Sequence, residues 1–196
     1  MPAPRLLAIS PPDPTAALAW LDLAPALIGA GADGLLLRVV GEGLDPACLE
    51  RLQGCGVPVL VHRRSEALWP AALELGLGLH LPAGLDPAPW RARVRGLLGQ
   101  SCHDEGELRR AAGGCDYATF SPVFAPFSRP GDRRPPLGIE GLRRGCTAVA
   151  LPVLALGGIG PAQAGACLAA GAWGLAGIGA CADPARVRDL ALASPP

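Results

Sequence analysis

Short apolar runs alternate with longer amphipathic stretches along the whole chain, and glycines stand at many of the joints. Residues 6–10 (LLAIS), 34–39 (GLLLRV) and 58–62 (PVLVH) are apolar on both faces, as strands buried inside a parallel sheet are. The same reading predicts strands at 77–81, 97–101, 117–121, 152–156 and 174–178. The segments between them predict helices over 14–30, 45–54, 65–75, 87–95, 104–113, 139–145 and 162–170, with a last one over 184–192. Asp45, Ser65, Asp86, Asp104 and Asp183 stand where N-caps belong. The stretches AGAD, ELGLG, AGGCD and AAGAW put glycine between a helix and the next strand.

Residues 151–180 compress this pattern into one unit: strand, glycine turn at Gly157–Gly160, Pro161 opening a helix, Gly171 closing it, strand, and Gly179. A parallel βαβ unit brings both glycine turns to the same edge of the sheet. Bare backbone N–H groups and helix N-termini there suit a phosphate, while the same glycines also suit tight turns alone. Eight such βα units in 196 residues predict a single (β/α)8 TIM barrel domain over 1–196. An open doubly wound sheet is the alternative, but no strand reads as an edge and the count of eight favours closure. In a barrel, function gathers at the C-terminal ends of the strands. The residues to follow are therefore Ser10, Arg38, His62, His80, Ser101, Ser121, Gly157–Gly158 and Gly179.

Composition narrows the chemistry. The formal net charge is +0, so no overall field draws nucleic acid or an anionic membrane. All the basic residues are arginines, which rules out a lysine Schiff base. The 7 cysteines are scattered with no CxxC, as expected of free thiols in a reducing cytoplasm. The first residues lack an apolar signal core and no run is long enough to span a membrane, so a cytoplasmic protein is expected. Oligomeric state is left open, a homo-oligomer included.

Three segments carry a resemblance: 116–142 (DYATFSPVFAPFSRPGDRRPPLGIEGL), 151–180, and 77–103 with LHLPAGLDP and LLGQSCH. Their order resembles the thiamin phosphate synthase and TenI-type thiazole tautomerase family, whose members are phosphate-binding (β/α)8 barrels. The resemblance implies a small phosphorylated ligand such as thiazole phosphate or thiamin phosphate, with neither nucleic acid nor membrane as partner. It places the phosphate on the backbone of Gly158 and of Gly179–Ala180, with Ser128 and Arg129 matching a Ser/Thr-Lys pair in the long loop. Ser101 matches the family's strand-five serine, and Arg38 is what remains of a Gln-x-Arg-x-Lys pattern for a pyrophosphate. Ser121 joins the substrate-binding set at the end of strand six.

The departures point to branch. The synthase branch rests Mg²⁺ on carboxylates after strands three and four. Here Arg63 stands at the first position, and Pro82–Leu85 offers none before Asp86, an expected N-cap. No metal and no organic cofactor is expected. The HLP-G turn and the lost acids resemble the TenI-type branch, which tautomerises a thiazole carboxylate phosphate. That branch's shuttle histidine matches Pro122, however, and its glutamate matches Val39. His62 and His80 are the replacement candidates for proton transfer; His103 is expected to cap the following helix and Glu42 to be a solvated loop charge. The leading expectation is thus a TenI-like barrel that binds, and can tautomerise, a thiazole phosphate. The alternatives are a divergent thiamin phosphate synthase with an arginine grip on pyrophosphate (Arg38, Arg63, Arg64), and a non-catalytic phosphoryl-ligand-binding or regulatory protein. Phe127 or Trp173 plugging the mouth would count against catalysis.

Overall fold

The computed structural model describes residues 2–40, 44–125 and 134–193. Its eight strands are β1 Leu6–Ile9, β2 Gly34–Leu37, β3 Val59–His62, β4 Gly78–Leu81, β5 Leu98–Cys102, β6 Tyr117–Phe120, β7 Val153–Leu156 and β8 Gly174–Gly177. All are parallel, each pairs with the next, and β8 pairs with β1 to close a barrel. Each predicted strand is present, shifted at its ends by one or two residues. The closed ring removes the alternative of an open sheet.

Leucine and valine dominate these strands because both faces are buried. Leu7, Ile9, Leu36, Leu60, Tyr117 and Leu154 fill the barrel interior. Their neighbours of opposite parity, such as Leu35, Leu37, Val59 and Val61, pack outward against the helices. Gly99 makes room for the Tyr117 ring, since a Cβ there would lie 2.3 Å from Tyr117 Cζ.

The helices are α1 Pro14–Asp22, α2 Ala24–Gly29, α3 Trp69–Glu74, α4 Ala88–Arg91, α5 Glu105–Ala111, α6 Gly138–Thr147, α7 Pro161–Ala169 and α8 Pro184–Leu192, with a 3-10 helix at Pro46–Leu52. Several are shorter than expected, for local reasons. The predicted helix over 14–30 is divided at Leu23, because Pro25 has no N–H for the carbonyl one turn back. α4 keeps only about one turn: Pro87 and Pro89 stand at its start, where a missing N–H is no loss, and beyond Arg91 the chain turns, with Arg93 N–H and Val94 N–H both donating to Trp90 O. The helix predicted from 65 starts only at Trp69, and the hydroxyl of Ser65 bonds Val39 instead of capping it. Asp13, Asp45, Asp104 and Asp183 do cap, and Asp86 accepts from Ala88 N–H. Among the described residues, no helix is long and apolar enough to cross a membrane.

Candidate functional site

Alternation along the strands decides which polar groups reach the barrel mouth. His62 continues the inward parity of Leu60, Thr119 and Ser121 that of Tyr117, and Arg38 that of Leu36. Together with His80, Ser101 and the β7 and β8 turns they line a cavity of about 670 Å³. Ser10 has the opposite parity. It is fully buried outside this cavity, and its hydroxyl accepts from the Arg38 N–H at 2.9 Å. Trp173 is no plug: its indole N–H donates to Ala3 O at the N-terminal end of the barrel, with the Arg5 guanidinium over its ring. Phe127, Ser128, Arg129 and Glu42 lie outside the described residues.

The two candidate histidines differ. His80 is 1% exposed, and both its nitrogens are engaged, Nδ1 with Tyr117 Oη at 2.9 Å and Nε2 with Ser101 Oγ at 3.0 Å. Burial pushes its pKa well below the usual histidine value, and the neighbouring His62 adds to this. His62 accepts the Arg64 backbone N–H on Nδ1 at 3.2 Å, which assigns its proton to Nε2. Burial, then the Arg64 charge, lowers its pKa to about 4. A neutral imidazole with one N–H unspent therefore lines the cavity at neutral pH.

A third histidine belongs to the site. His103 does not cap α5, a role Asp104 takes. Its ring reaches the end of β6, where Nδ1–H donates to Ser121 O at 2.7 Å and Nε2 accepts from Arg134 Nη1 at 2.7 Å. Reading the sequence strand by strand missed this, because His103 leaves β5 and meets β6 only across the ladder. Arg134, Arg186 and Asp189 also line the cavity from the connections and α8.

The glycine turns are packed tightly. Gly157 and Gly158 have φ of +103° and +63°, and a Cβ on Gly158 would lie 2.5 Å from Ala125 O. The segment after β6 is tied to this turn by Val123 N–H to Leu156 O and Phe124 N–H to Gly157 O. Among the described residues, no protein acceptor takes the N–H of Gly158, Gly179 or Ala180. Arg186 braces the β8 turn by donating to Gly179 O at 3.0 Å. Four guanidiniums (Arg38, Arg64, Arg134, Arg186) and one carboxylate (Asp189) line the cavity, in a chain whose overall charge balances.

The residues do not fit the Mg²⁺ that the synthase branch implies. Arg63 stacks over Trp69 (4.4 Å) and Trp90 (5.0 Å) and pairs with Glu66, so it does not join the cavity lining. This also removes Arg63 from the arginine grip expected above. The β4 turn brings no carboxylate, Asp86 being spent on Ala88 N–H. No group of three or more His, Cys, Asp or Glu among the described residues could hold a metal ion.

Fold and site thus define a (β/α)8 barrel with a cation-lined cavity at the C-terminal ends of its strands, the functional end of such barrels. The family model described as thiamine monophosphate synthase matches residues 44–181. A thiamine-phosphate synthase of Moorella thermoacetica is 39% identical over 148 residues, 74% of this chain and 69% of that protein. One of Chloroflexus aurantiacus is 34% identical over 73% of this chain and 65% of its own length. A thiamine phosphate pyrophosphorylase structure from Pyrococcus furiosus superposes with a TM-score of 0.76 at 21% identity, covering 96% of this chain and 94% of that one. The chain belongs to the thiamine monophosphate synthase family.

Proposed function

We propose that this protein joins a thiazole phosphate to a pyrimidine pyrophosphate, forming thiamin phosphate and releasing pyrophosphate. The observation that carries this reading is the unclaimed N–H set of Gly158, Gly179 and Ala180, on adjacent turns at a cationic mouth. Those donors suit the thiazole phosphate, with Ser128 and Arg129 as further contacts by resemblance. Ser101, Ser121 and the Nε2–H of His62 supply hydrogen bonds to ring substituents. His80, bonded on both nitrogens, positions Ser101 rather than exchanging protons with a ligand. The chemistry is displacement: the carbon–oxygen bond to the diphosphate breaks as the pyrimidine becomes bonded to the thiazole. The cavity's contribution is to hold two anionic reactants together.

The names of the relatives support this reading over the tautomerase expected from the missing carboxylates. Tautomerisation keeps one supporting observation, the neutral His62 at the cavity wall. Incubating the full chain with both substrates tests the synthase. Thiamin phosphate appearing on chromatography is the expected result. Its absence, with the thiazole carboxylate phosphate ring signals changing in NMR, would transfer the assignment to the tautomerase. Phosphate-ligand binding without either turnover would leave a non-catalytic binder.

A further inference from the structure

We propose that Arg186, on α8, is a positioning residue: it holds and polarises the turn after β8 so that the bare N–H groups of that turn receive an anion. That the anion is the phosphate of the thiazole rests on the synthase reading. The arrangement of the turn stands apart from it.

The turn treats its carbonyls and its N–H groups differently. Arg186 Nη1 donates to Gly179 O at 3.0 Å. Trp20, 2% exposed on α1, donates its indole N–H to Cys181 O at 3.2 Å. Side chains from two different helices thus hold two of the turn's carbonyls. Cys181 N–H is spent on Ile178 O, while the N–H groups of Gly179 and Ala180 have no protein acceptor among the described residues. A Cβ on Gly179 would meet nothing within 4 Å, so there is open space beside the bare donors.

The Arg186 side chain is exposed, yet its direction is set. Its Nε pairs with Asp183 Oδ2 at 3.1 Å, and Asp183 Oδ1 accepts the Arg186 N–H at 3.0 Å as the N-cap of α8. One carboxylate therefore fixes both the start of the helix and the aim of the guanidinium. An exposed pair of this kind adds little stability; its effect is geometric. The pair also neutralises Asp183, which stands three residues along the chain from Ala180.

Gly179 C=O and Ala180 N–H belong to one peptide unit, and in a trans peptide the two point opposite ways. Tying the carbonyl to Arg186 keeps the N–H pointing away from Arg186, and both residues of the unit line the cavity. A cation bonded to the carbonyl also draws electron density from the amide nitrogen, which makes the N–H a stronger donor. Arg186 thereby acts on a ligand through the backbone of another residue.

Calorimetric titration of the full chain with inorganic phosphate, together with amide NMR spectra, tests this. The parent is expected to bind, with shifts of the Gly179 and Ala180 amide resonances. Arg186→Gln is expected to weaken binding about fivefold or more, and to move the Ala180 amide proton upfield even without phosphate. Arg188→Gln removes the same charge from an exposed position of α8 outside the cavity lining, and is expected to bind as the parent does. Equal binding by the parent and R186Q, equal weakening by R188Q, or an Ala180 resonance that R186Q leaves unmoved would each overturn the role of Arg186. If the parent's shifts fall on Gly179 and Ala180 but R186Q binds equally, the phosphate reading of the turn stands without Arg186. No phosphate binding at all would overturn both. If R186Q weakens phosphate binding as expected but the parent forms no thiamin phosphate from the two substrates, the synthase reading falls and the role of Arg186 stands.

Discussion

Acidification from pH 7.5 to 5 is expected to destabilise this protein through His62, and the size follows from its surroundings. Burial and the Arg64 charge take its pKa from 6.5 to about 4 in the folded chain. The unfolded chain therefore binds the proton first as pH falls. The stability that a neutral His62 contributes is complete above pH 6.5 and is lost progressively down to about pH 4. At about 1.4 kcal/mol per pH unit the full loss is about 3 kcal/mol, of which about 2 kcal/mol is gone at pH 5. His62→Asn keeps an acceptor for the Arg64 N–H but cannot take up a proton. It costs some packing at every pH and removes this slope. Urea unfolding of both proteins at pH 7.5, 6 and 5 gives the comparison, and the parent's midpoint should fall by about 1 M more than the variant's. Parallel pH profiles would refute the argument, as would an imidazole resonance, absent from H62N spectra, that titrates near 6.5.

Arg64→Gln removes the positive charge that helps keep His62 neutral, so the same NMR resonance should titrate at higher pH than in the parent; an unchanged or lower value would contradict that electrostatic account. Gly158→Ala puts a methyl 2.5 Å from Ala125 O and 2.8 Å from Phe124 Cβ at a φ of +63°. It should cost about 2 kcal/mol or more in urea unfolding and abolish the stabilisation that added phosphate gives the parent. A variant as stable and as responsive to phosphate as the parent would show that the turn has room to spare. Tyr117→Phe leaves His80 Nδ1 unpartnered in a buried site and should cost about 1–3 kcal/mol, read from thermal unfolding. An unchanged midpoint would show that the hydroxyl contributes nothing.

The barrel was legible because β1 to β4 and β7 are leucine- or valine-rich runs whose two faces both require cover, and eight short strands with glycine joints have few ways to close. Helix lengths were less legible. Pro25 acts on a single hydrogen bond, while Ser65 spends its hydroxyl on Val39, a residue far off in sequence. At the site, strand periodicity carried His62, Ser101 and Ser121 to the mouth but was read too loosely for Ser10, which faces outward and pins Arg38 instead.

By itself, then, the amino-acid order determined the repeat of strand, turn and helix, the glycine positions that leave N–H groups bare, and the loss of metal-binding carboxylates. Each is a property of local segments or of residue identity. Only the tertiary structure decided that Arg63 is stacked on two tryptophans while Arg64 lines the cavity, that His80 is tied up by Tyr117 and Ser101, and that His103 reaches across to Ser121. Those outcomes depend on which side chains meet when the ring closes, and neighbours across a closed barrel are not neighbours along the chain.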